Sequence, residues 1–128
     1  MVSVSLLYHQ SFKKKAQILK ELVESLGYQC MEFLPFRNPK ALSQLEPEEQ
    51  IIIVYFGGNY GAEYLPTLQA LPDRPLILIG FYPDKLSGLF TGWNAIRMLI
   101  LENSAFHREA LSPYLQVGRD WIERYPPS

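Results

Sequence analysis

The chain has 128 residues, of which 48% are hydrophobic and 20% charged; this is the length of one domain and a globular composition, which excludes disordered and collagen-like chains. Twelve Lys and Arg against thirteen Asp and Glu leave a formal charge of -1, without the basic excess that phosphate backbones demand, so no nucleic-acid partner is expected. The single cysteine, Cys30, cannot close an internal disulfide, and with His9 and His107 the only histidines no metal site is expected.

In chain order, Val2 to Tyr8 (VSVSLLY) reads as a strand, and Phe12, Ala16, Leu19, Leu22, Val23 and Leu26 then recur at spacings of three and four, which predicts an amphipathic helix over Ser11 to Leu26. Gly27 stands where a left-handed closing residue belongs, so the helix should stop there. Tyr28 to Leu34 reads as a second strand. Between Pro39 and Pro47 only a short helix fits, with Ala41, Leu42 and Leu45 as its buried face. Ile51 to Phe56 (IIIVYF) is apolar without alternation, the pattern of a central strand covered on both faces. It is also far short of the roughly 20 residues that span a bilayer. With nothing like a signal peptide at Met1 to Leu7, the expected location is cytoplasmic, with no membrane partner.

Gly57 and Gly58 break the central strand, and Tyr60 to Leu71 can form a helix. Arg74 to Phe81 is a further buried strand, Tyr82 to Asn94 a loop, and Ala95 to Leu101 a fifth strand. Ser104 to Tyr125 is helical in pattern, and the Ser112-Pro113 pair predicts an N-cap and first turn there, giving two helices or one kinked helix. Five strands alternating with helices predict a three-layer α/β/α domain of flavodoxin-like type over 1–125, with a parallel sheet and right-handed crossovers. Residues 126–128 are a tail or the start of a linker.

In such a sheet ligands sit beyond the carboxyl ends of the strands. Candidate ligand-binding residues are therefore Tyr8 and His9 after the first strand, Arg37 after the second, and Phe56, Gly57 and Gly58 at the end of the third. Neither Phe56 nor Gly57 is a phosphorylatable Asp, which excludes a phosphorelay receiver. YHQSFKKK offers only Ser11 for a flavodoxin-type phosphate loop. Lys13, Lys14 and Lys15 oppose the helix dipole and are either an anion handle or a solvated face. Glu63 is the carboxylate nearest the end of the central strand. It is able to stabilise an oxocarbenium-like centre or to serve as a general acid or base, and equally to suit a helix first turn. Trp93 and Trp121 are core or partner-surface aromatics.

The segments SLLYHQSFKKKAQILKELVESLGYQC, IIIVYFGGNYGAEYL and RPLILIGFYPDKLSGLFTGWNAIRML resemble, in order and spacing, Toll/interleukin-1 receptor (TIR) domains of bacterial type. The resemblance implies a TIR-like signalling role of innate-immune kind, through self-association or binding of another TIR-like domain, with no cofactor. It also implies an alternative, in which NAD is a substrate whose nicotinamide bond is cleaved with the help of a Glu after the central strand. Counting forward from Asn59-Tyr60 puts that position at Leu68; counting back from Pro75 puts it at Glu63. In the catalytic alternative Tyr8 and Phe56 pack on a ring and the Lys13 to Lys15 run lies near the nucleotide's phosphates. LPFRNPKAL, with Arg37 and Pro39, stands where the family has a longer loop. NYGAEYLPTLQALPDRPLI is also similar to nucleoside deoxyribosyltransferase-like proteins, which would again make Glu63 catalytic. The Asp84 to Trp93 loop, with Leu86, Leu89, Phe90 and Trp93, is the expected contact surface.

Overall fold

The unbroken apolar run at the middle of the sequence lies at the middle of a sheet. A computed structural model describes residues 2–37, 51–56, 75–80 and 97–124. Its strands are β1 (Ser3–His9), β2 (Gln29–Phe36), β3 (Ile51–Tyr55), β4 (Leu76–Gly80) and β5 (Arg97–Leu101), and its α-helices are α1 (Lys13–Ser25), α2 (Glu102–Ala105) and α3 (Arg108–Arg124). The protein is α/β with a parallel sheet in the order β2-β1-β3-β4-β5. Every residue from Ile51 to Phe56 is completely buried. A central strand must cover both faces, and β-branched side chains fit the pleat on either side.

Side chains alternate across a strand. Val4, Leu6 and Tyr8 of β1, Ile51, Ile53 and Tyr55 of β3, and Ile77 and Ile79 of β4 form one cluster with Ala16, Leu19 and Val23 of α1 and with Leu111 and Leu115 of α3. Helices α1 and α3 therefore pack on the same face. Leu7, Ile52, Val54, Phe56 and Leu78 point to the other face and are also buried. Gly118 lets α3 approach the sheet closely: a Cβ there would lie 2.9 Å from Ile51 Cγ1 and 3.1 Å from Pro75 Cβ.

Helix α1 ends as its glycine predicts. Gly27 has φ 95°, its N–H donates to the Glu24 carbonyl and that of Tyr28 to the Val23 carbonyl, which is the paired closure of a Schellman motif. The β1–β2 register shifts at Val4/Ser5 because β2 carries one extra residue, Met31, which is exposed. Pro35 lies within β2, where its missing donor falls on an edge strand.

Of the two forms expected at Ser112-Pro113, the structure has a single helix through the proline and not two helices meeting there. The break comes at Phe106 and His107, and Pro113 sits inside a continuous α3. Ser112 is not its N-cap. Leu111 and Leu115, on either side of the proline, both bury against the sheet; one continuous helix satisfies both, and Pro113 is exposed on its solvent side. The predicted helices over 38–49 and 60–71 and the loop over 82–94 lie outside the described residues. No helix among the described residues is long and apolar enough to cross a membrane.

Candidate functional site

Strand order changes direction between β1 and β3, so the crevice at the carboxyl ends of those two strands is where an open α/β sheet offers a ligand site. Strand β1 delivers Tyr8 and His9 to it, followed by the 3-10 turn Gln10–Phe12 and the first turn of α1. Strand β3 delivers Tyr55 and Phe56, and β5 ends directly before Glu102.

Glu102 is the buried carboxylate of this crevice, with 2% exposure. Its Oε1 accepts the Tyr55 hydroxyl at 2.6 Å and the Lys15 ammonium at 3.1 Å, while Oε2 is shielded from solvent and has no hydrogen-bond partner among the described residues. Lys15 is half-exposed, so its charge remains hydrated on one side while the carboxylate is not. The Tyr55 ring lies between Phe12 and Phe106, each 6.0 Å away between centroids. Burial and donation to Glu102 push the Tyr55 phenol well above its ordinary value. Tyr55 is thus a fixed donor to Glu102.

On the other face the crevice is aromatic. His9 is 6% exposed, and its Nδ1 accepts the Ser11 backbone N–H at 3.2 Å. That bond requires an unprotonated Nδ1, and burial lowers the imidazole's affinity for a proton. Its ring meets Phe36 edge-on at 5.8 Å, and Phe36 meets Phe56 at 6.3 Å. The strand-end histidine therefore closes a turn.

The predicted site residues divide accordingly. Tyr8 lies 4.4 Å from Phe33, centroid to centroid, and is 4% exposed. Phe56 is completely buried. Lys13 is exposed on the first turn of α1, and Arg37 is exposed and donates to the Gln10 side chain at 2.8 Å. Of the three lysines, Lys15 is brought to the crevice carboxylate. Gly57, Gly58, Glu63 and Leu68, and the expected contact residues Leu86, Leu89, Phe90 and Trp93, lie outside the described residues. Glu102 and Tyr55 were not among the predicted site residues. The available signal was position: Glu102 follows the apolar run AIRMLIL directly, at the carboxyl end of the fifth strand.

No protein-family model matches this sequence, and no curated protein is similar to it. Among solved structures the chain is similar to a fusion of the yeast Spc42 trimeric coiled coil, amino acids 181-211, with a second structure. The TM-score is 0.65 at 11% identity, over 97% of this chain and 81% of that one. At that identity the likeness concerns the fold alone.

Proposed function

We propose that this chain is a TIR-like domain of three-layer, flavodoxin-like architecture with a five-stranded parallel sheet, and that it acts as a cytoplasmic self-assembly or partner-binding module without chemistry of its own. The observation that carries the reading is the burial of Tyr8 and Phe56 at 4% and 0% exposure. A nucleotide ring needs an open aromatic face to stack on, and both of these faces are taken by the protein's own side chains. His9 supports the same reading, because its Nδ1 is engaged by the Ser11 N–H.

The competing reading is NAD cleavage with Glu63, or deoxyribosyl transfer with the same residue. Both are tested by incubating the purified chain at high concentration with NAD, or with a deoxynucleoside and a free base, beside Glu63→Gln, and recording the oligomeric state of the same samples. The module reading expects self-association and no turnover from either protein. Turnover lost in Glu63→Gln would overturn it in favour of the enzyme.

A further inference from the structure

Helix α3 turns Leu111, Leu115 and Gly118 toward the sheet. A neighbouring stripe of the same helix carries Pro113, Tyr114, Val117 and Trp121. Two shallow grooves meet at Val117. One is lined by Met98 of β5 with Pro113, Tyr114 and Val117, the other by Val117, Asp120, Trp121 and Arg124. Val117 is a large hydrophobic residue left 43% exposed. This face lies beside β5, an edge strand of the sheet.

The charges at the two ends of the stripe have opposite signs. Glu109 stands in the first turn of α3 and Arg124 in the last, both exposed. They are separated by about 22 Å along the helix, and their midpoint falls beside Val117. Neither is in an ion pair among the described residues, whereas the adjacent Arg119 is bound to Glu123.

We infer that the α3 stripe centred on Val117 is a self-association surface that takes a second copy of this chain, helix against antiparallel helix across a two-fold axis. This rests on the self-assembly reading above and assigns it a surface. In a two-fold contact the residue at one position meets its complement twice. Crossing at Val117 sets Val117 against its copy. The same crossing places Glu109 opposite Arg124 at both ends. A parallel pairing would instead set Glu109 against Glu109 and Arg124 against Arg124, so the charge pattern selects the antiparallel arrangement. The helix is about 26 Å long, and one helix pair covers less than the about 800 Å² per partner of a standard interface. The dimer is therefore weak and forms at high protein concentration.

The test is sedimentation velocity of the full chain from about 10 µM to about 1 mM, the range a weak contact occupies, with far-UV circular dichroism to establish that each variant is folded. The chain should dimerise with rising concentration, and Val117→Asp should weaken the dimer at least about tenfold. Glu109→Arg and Arg124→Glu should each weaken it, and the double charge swap should restore it. A wild-type chain that stays monomeric throughout would overturn both this surface and self-assembly. A wild-type dimer that persists in Val117→Asp would overturn the surface and leave self-assembly standing. A charge swap no better than either single reversal would overturn the antiparallel pairing.

Discussion

The two faces of the sheet are finished differently at its carboxyl end. Toward α1 and α3, Tyr55, Glu102 and Lys15 form a polar cluster around a buried carboxylate. On the opposite face His9, Phe36 and Phe56 form an aromatic cluster, with the Ser11 backbone N–H donating to His9. Both are buried, but their energetics differ. The aromatic side gains from every atom it removes from water, whereas the polar side must recover the desolvation of a carboxyl group with two hydrogen bonds on one oxygen, Oε2 having no partner among the described residues. Burial alone therefore does not say which face contributes most to stability.

Substitutions can break that contrast in order of expected size. Phe56→Ala should destabilise the protein by about 3–5 kcal/mol, since a fully buried ring is lost from a packed cluster; urea unfolding checks it, and a loss below that of any polar-side variant would reverse the comparison. Tyr55→Phe removes the shorter of the two bonds to Glu102 and should cost about 1–3 kcal/mol. Glu102→Gln keeps an acceptor for Tyr55 and Lys15 while removing the buried charge, so its midpoint should shift by the equivalent of about 1 kcal/mol or less. A larger loss in Glu102→Gln than in Tyr55→Phe would mean that the ionised carboxylate itself holds α1 to the sheet.

The smallest effect is in pH, and the two faces should respond in opposite directions. Burial holds His9 below its ordinary value of 6.5. The unfolded chain then binds the proton more readily, and the His9 contribution, complete above pH 6.5, is lost as pH falls through the lowered folded value. Tyr55 is held above its ordinary value of 10.0. Its contribution is complete below pH 10 and is lost as pH rises toward the raised folded value. Unfolding midpoints across this range should fall at both ends, with His9→Gln flattening the acid limb alone and Tyr55→Phe the alkaline limb alone.

Much of this fold was legible along the chain. The periodicity of Ala16, Leu19 and Val23, the stop at Gly27 and the unbroken run from Ile51 to Phe56 are local signals, because helix spacing, a left-handed closure and burial on two faces each leave a pattern within a few residues. The end of the chain was less legible. Ser112-Pro113 carries the chemistry of a helix start, yet Leu111 and Leu115 anchor one helix through it, and tertiary packing outweighed the local preference.

The sequence by itself determined an α/β chain whose strand ends carry Tyr8, His9 and Phe56, because hydrophobic period and glycine position are one-dimensional. Only the tertiary structure decided that Tyr8 and Phe56 are enclosed. It also brought Glu102 to Tyr55 and Lys15, which lie 47 and 87 residues away. Parallel strand pairing sets such distant residues side by side, and nothing in the local spacing of any one of them records the others.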